Sequence, residues 1–228
     1  MNRGNVRCMK VLVIGANGKT GLRVVTQLVA HSEHSPVAMI RDREQAARFE
    51  SMGVGWTLGD LEHPIDDAVR GCDAIIFAAG SGGKTGKDKT VLIDHLGAIR
   101  SMVTALQMGA RRYIMLSGLN VDRDYAGDRI PHWRRAKGRA DQFLRSMPTV
   151  FDGEGLDYSI VCPGKLHDAE SVSGVTLISP DGEGNTDRAQ LAATLVGCLD
   201  APATIGATFG VVDGTIPVVE ALKQTPAH

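Results

Sequence analysis

At 228 residues and 24.2 kDa, the chain can bury a full core and falls where one α/β domain is a better expectation than two. The formal net charge of −1 and the pI near 6.6 argue against an electrostatic nucleic-acid surface, and no apolar run approaches bilayer-spanning length. The polar residues 1–10 offer no apolar region for a signal peptide, and Cys8, Cys72, Cys162 and Cys198 are far apart without metal-ligand spacing, so the expectation is a cytoplasmic protein with reduced thiols and no metal.

Residues 10–21, KVLVIGANGKTG, join an apolar β-branched run at 11–14 to glycines at 15, 18 and 21. The run reads as a parallel strand buried on both faces. Leu22, Val25 and Val29 then repeat at helical spacing with Leu28 beside them, giving strand, turn and helix in the order a dinucleotide site requires. Gly15 makes the turn, Gly18 permits close approach of a pyrophosphate, and Gly21 lets the helix pack close to the strand. Asn17, Lys19 and Thr20 fill the rest of the turn. Gly18, Lys19 and Thr20 also match the end of a nucleotide-triphosphatase loop, but that loop needs a glycine where Val13 stands. Gly83, Lys84 and Thr85 fail in the same way at Ala78.

Residues 36–41 read as the second strand and 44–52 as a helix ended by Gly53. A third strand at 54–58 closes at Gly59 and Asp60, a short helix covers 65–69, and a fourth strand covers 73–78. Leu92, Leu96, Ile99, Val103 and Leu106 mark one face of a long helix, with Asp94 and His95 beside it as structural or rim residues. Gly109 stops it, and the fifth strand, 112–116, runs into Ser117 and Gly118. After a loop at 120–130, a helix from near Pro131 presents Ala136, Ala140, Phe143, Leu144 and Met147 inward until Pro148 breaks it. The sixth strand, 158–162, precedes Pro163 and Gly164; then come strand 175–179, helix 187–199 and strand 208–212.

This alternation predicts an α/β fold: one doubly wound Rossmann-like domain over 1–228 with a mostly parallel sheet and a small C-terminal cap on the substrate side. The cofactor half spans about 10–120 and the substrate-side elements about 120–228. Ligands of such sheets lie outside the carboxyl ends of the strands, so Gly15, Arg41, Asp60, Ala79 and Ser117 should open onto one crevice. At the end of the second strand the acid that binds ribose in NAD sites is missing and Arg41 follows Met39 and Ile40. A guanidinium there suits the 2′-phosphate of NADP. The competing reading makes Arg41 a solvated charge and gives the ribose to Asp42, which keeps NAD possible. Lys19 and Arg43 would reinforce a phosphate site. The cluster Arg134, Arg135, Lys137 and Arg139 lines an anionic ligand or faces solvent.

GANGKTG at 15–21, IRDRE at 40–44, GDL at 59–61, FAAGSG at 77–82, LSG at 116–118, AK at 136–137 and PG at 163–164 resemble, in order and spacing, the atypical short-chain dehydrogenase/reductases. Within these the chain is similar to small NAD(P)H-binding proteins of the NmrA-like and flavin reductase (biliverdin-IXβ reductase) groups. The resemblance covers nearly the whole chain. It implies that Asp60 and Leu61 border the adenine, that Ala78, Ala79 and Gly80 pass the ribose, and that Pro163, Gly164 and the residues to Leu166 lie near the nicotinamide. It also implies a catalytic serine after the fifth strand and a YxxxK unit. Ser117 and Lys137 match, but the tyrosine position holds Trp133, and an indole has no usable acid/base chemistry.

Three readings of the missing proton donor stay open. Hydride transfer to a flavin or quinone needs no protein acid, with Ser117 orienting the substrate; His132 or Tyr125 supplies the proton; or the protein senses the NADP redox ratio without turnover. The leading expectation is an NADPH-dependent oxidoreductase passing hydride to a small flavin, quinone or carbonyl acceptor. A non-catalytic sensor or interaction module is the alternative, and a nucleotide-sugar epimerase or dehydratase the third. Partners are then a small-molecule substrate, without nucleic acid or membrane, and the state is monomer or homodimer.

Overall fold

Strand β1 (Lys10–Ile14) buries every residue after Lys10 completely, as an unbroken β-branched run does when both sheet faces are covered. It belongs to a computed structural model that describes residues 8–82, 86–122, 131–169 and 173–225. The remaining strands are β2 (Ser35–Ile40), β3 (Gly55–Leu58), β4 (Ala74–Phe77), β5 (Arg112–Leu116), β6 (Asp157–Pro163), β7 (Lys165–His167), β8 (Gly174–Ile178), β9 (Asn185–Asp187) and β10 (Ala207–Gly214). Eight of them form one sheet in the order β3-β2-β1-β4-β5-β6-β10-β8, while β7 and β9 pair separately. Every pairing in the large sheet is parallel except β10 with β8.

Helices α1 (Lys19–His31), α2 (Ala46–Glu50), α7 (Arg188–Gly197) and α8 (Val218–Lys223) supply the core on one face. On the other lie α3 (Asp66–Val69), α5 (Ala98–Met108) and α6 (His132–Val150). This is the doubly wound α/β architecture expected from the strand–helix alternation. After β3 the chain recrosses β1 to form β4, so the strand order reverses between β1 and β4, and a ligand crevice belongs at the carboxyl ends there. Contact is close at that point: a Cβ on Gly15 would lie 2.6 Å from the Ala79 Cα.

Three local expectations need correction. Val29 is 49% exposed, and α1 instead buries Val24, Val25 and Leu28. Leu96 is 42% exposed, because α4 (Lys87–Thr90) passes into a π-helical segment, Val91–Gly97, before α5 begins. The wider turn shifts the inward face by part of a residue step, which buries Ile93, Asp94, Gly97, Ala98 and Met102 instead. Pro148 does not break its helix: α6 runs on to Val150. Proline sits in the last turn, where only one intrahelical bond is lost and the chain is already leaving. Helix α8 and the β7/β9 pair were not anticipated.

Candidate functional site

The glycine turn after β1 leads directly into α1. Gly15 adopts φ +82°, the left-handed conformation that glycine enters without penalty, and its carbonyl accepts the Gly18 N–H at 2.9 Å. A Cβ on Gly21 would lie 2.1 Å from that same carbonyl, so helix and turn touch through the missing side chain. Gly18 caps α1 without a side-chain acceptor, and no acid stands in the first turn. The first N–H groups of the helix are thereby left without a side-chain cap, an arrangement that suits an anion. Around it, the Arg48 guanidinium donates to the Asn17 side chain at 2.8 Å, while Lys19 is exposed and Thr20 buried.

At the end of β2, Arg41 is exposed. Asp42 is engaged elsewhere: its carboxylate accepts the Glu44 N–H at 2.9 Å and caps a short 3-10 turn, Arg43–Gln45. The Asp60 carboxylate takes the Glu62 N–H at 3.0 Å, and buried Leu61 offers its carbonyl to Arg100. Ala78 continues the ladder through its N–H to Ile14 O at 2.9 Å. Ala79 and Gly80 follow, with Gly80 close to the Asp94 carboxylate.

The catalytic candidates gather at the carboxyl end of β5. Trp133, Lys137 and Asp141 follow one face of α6 at intervals of four residues. Trp133 packs against Gly118, where a Cβ would meet the indole at 3.4 Å. Lys137 donates from Nζ to Leu116 O at 3.0 Å and lies 3.8 Å from the Asp94 carboxylate. Asp94, carried inward by the π-helical segment, also accepts the Ser81 N–H at 2.9 Å. One acid thus ties the lysine to the chain after β4. The Ser117 hydroxyl donates to Asp141 Oδ2. Asp141 is completely buried, and burial pushes its carboxyl up to about 7, opposed by the Ser117 hydroxyl and the Lys137 charge. His132, the first residue of α6, is exposed. Tyr125 lies outside the described residues.

Beyond β6, the Pro163 carbonyl accepts the Leu119 N–H at 3.0 Å, and Gly164 donates to Thr186 Oγ1 at 2.9 Å. The β7/β9 pair hangs there over the carboxyl edge of the sheet. Asp168 bridges Arg23 of α1 and Arg188 of α7 at 2.9 and 3.0 Å, and His167 meets Asp213 at 2.6 Å. Sequence reading took Asp94, a lone acid within an apolar helical stretch, only as a structural or rim residue, and it missed Asp141, Arg48 and these three ion pairs, for which the sequence carries no signal. The four cysteines are free. Among the described residues no cluster has the makings of a metal site, and no helix is long and apolar enough to cross a membrane.

Residues 15–202 match a family described as NAD(P)H-binding. The chain is 37% identical over 220 residues to the uncharacterized sugar epimerase YhfK of Bacillus subtilis, covering 95% of this chain and all of that one. A Saccharomyces cerevisiae protein of the UPF0659 group is 32% identical over 95% of this chain and 98% of its own. A solved structure from Bacillus halodurans, titled as a candidate NAD-dependent epimerase/dehydratase, superposes with TM-score 0.83 at 36% identity, covering 95% of this chain and 99% of that one. Glycine turn, switch point and family match agree: the chain belongs to the NAD(P)H-binding family of Rossmann-fold proteins.

Proposed function

We propose that the protein is an NADPH-dependent reductase of small planar or carbonyl-bearing acceptors. The residues present fit the dinucleotide: the turn at Gly15, Gly18 and Gly21 clears a path to an uncapped helix N-terminus. Arg41 is the residue for the 2′-phosphate, supported by the engagement of Asp42 in its own cap, which takes that carboxylate away from a ribose. Asp60, Leu61, Ala78, Ala79 and Gly80 would border the adenosine. Ser117, Lys137, Pro163 and Gly164 would border the nicotinamide end. When bound, NADPH supplies the electrons and hydrogen that reduce the acceptor.

The observation that carries the reading is Trp133 beside Gly118, where a proton-transferring phenol would otherwise stand. The chain's own part is then to hold: Lys137 is fixed between Leu116 O and Asp94, and Ser117, its hydroxyl bonded to Asp141, sits beside it as the polar group an acceptor would meet. The names of the relatives favour a second reading, a sugar epimerase. That chemistry must take a proton from a sugar hydroxyl and return it, which indole cannot do.

The test is NADPH and NADH oxidation with menadione, flavin mononucleotide and a dicarbonyl, beside UDP-galactose as an epimerase probe. Steady turnover with NADPH and a quinone or flavin is expected, and Trp133→Tyr should raise turnover of the dicarbonyl. Micromolar NADP binding without turnover on any acceptor would instead favour a redox sensor, and conversion of the sugar would favour the epimerase.

A further inference from the structure

The buried Asp141 carboxyl is not needed by a dinucleotide fold, yet it touches the Ser117 hydroxyl placed at the acceptor end. Its Oδ2 accepts from Ser117, while its Oδ1 is buried without a hydrogen-bond partner among the described residues. An anionic oxygen left dry and unpaired is costly, whereas the carbonyl oxygen of a neutral carboxyl bears the same position far more easily. We propose that Asp141 sets the direction of the Ser117 hydroxyl, so that Ser117 donates to an acceptor carbonyl only while Asp141 is protonated. The proposal rests on the reductase reading for its ligand class and on the Ser117–Asp141 pair for its mechanism.

The two states follow from the inventory of each group. A neutral carboxyl donates its hydrogen to Ser117 Oγ, and the serine hydrogen is then free to turn toward a carbonyl. An ionised carboxylate accepts only, so it holds the serine hydrogen and leaves Ser117 with lone pairs, which repel a carbonyl oxygen. Charged and titratable groups face Asp141 from every side. Lys137 and Arg145 on α6 favour the anion, Asp122 after β5 opposes it, and Tyr113 on β5 and Cys162 on β6 are both held protonated by burial. The Tyr113 hydroxyl is already paired with Ser101 at 2.7 Å. Burial is the largest influence on Asp141 and brings its changeover to about pH 7.

The test uses the whole protein saturated with NADP+, with menadione as the probe. Infrared difference spectra against pH should show a protonated-carboxyl band that titrates near neutrality, vanishes in Asp141→Asn and shifts in Ser117→Ala. Menadione affinity, read by quenching of tryptophan emission, should fall about tenfold as pH rises through the changeover. In Asp141→Asn, whose amide donates to Ser117 at every pH, affinity should stay at its acid-side value. Ser117→Ala should bind weakly throughout. A carboxyl band that is absent, or unmoved by Ser117→Ala, overturns the switch whatever menadione does. Affinity independent of pH in the wild type, with the band titrating, overturns it as well. A band that titrates and shifts, with no menadione bound at any pH, leaves the pair as described and overturns the acceptor reading on which its ligand class rests.

Discussion

Gly18 and Gly21 stand three residues apart in one turn, and their surroundings assign them different work. A Cβ on Gly21 would sit 2.1 Å from a backbone carbonyl, whereas one on Gly18 would meet only Gly15 O at 3.2 Å. Gly21→Ala should therefore lower stability as well as cofactor binding. Gly18→Val should leave the melting temperature within a few degrees while abolishing NADPH binding in a fluorescence titration. If the valine variant binds normally, the pyrophosphate does not pass the turn. Arg41→Ala should weaken NADPH by about tenfold or more, as loss of a charge-assisted contact to phosphate does, and leave NADH nearly unchanged. Equal losses would place the 2′-phosphate elsewhere, with Arg48 beside Asn17 the next residue to replace. The glycines were legible in the sequence because turn geometry is a property of the residue itself. Asp141 was not, because its burial exists only once α6 lies on β5.

Helix α7 shows how an element is fixed at one end by a single acid. Asp187 accepts the Ala189 and Gln190 N–H groups at the helix start and the Ala169 N–H across the gap to the end of β7. Burial works to raise its pKa, but the three backbone donors prevail and hold it below the ordinary carboxylate range. Since the folded value is the lower one, its stabilisation is present above the ordinary range and is lost as pH falls through the folded value. Asp187→Ala should cost about 1–2 kcal/mol at neutral pH and should reduce the slope of stability on the acid side in denaturant titrations. The same slope in both proteins would show that the cap is not what titrates. Among the helices, the sequence located each long one, but it could not reveal the π-helical segment before α5. Periodicity assumes a fixed number of residues per turn, so Leu92 and Leu96 pointed to a face that the wider turn rotates away. That rotation is also what brings Asp94 to Lys137, so the error at the element and the unforeseen partner of Asp94 at the site have one cause.

Across the whole molecule, the doubly wound architecture was readable from the strand–helix alternation, and the sheet topology brings the strand ends at Gly15, Arg41, Asp60, Ala79 and Ser117 to one edge. Asp141 lies fully buried at that edge, and its burial makes overall stability depend on pH in a direction opposite to Asp187. Unfolded, the Asp141 carboxyl titrates near 3.8; folded, burial brings it to about 7. Between those values the folded chain holds the extra proton, so stability declines as pH rises from about 4 to about 7 and levels off above. Asp141→Asn removes this decline while keeping shape and a donor for Ser117. Relative to wild type, the variant should gain about 2–3 kcal/mol between pH 5 and pH 8 in urea unfolding, at roughly 1.4 kcal/mol per pH unit below the changeover. The acid-side slope from Asp187 should be the same in both, which separates the two carboxyls by window as well as by sign. If the variant and wild type keep a constant difference across that range, Asp141 is ionised in the folded protein from the acid side onward. Ser117 would then be held as an acceptor for ligands at every physiological pH.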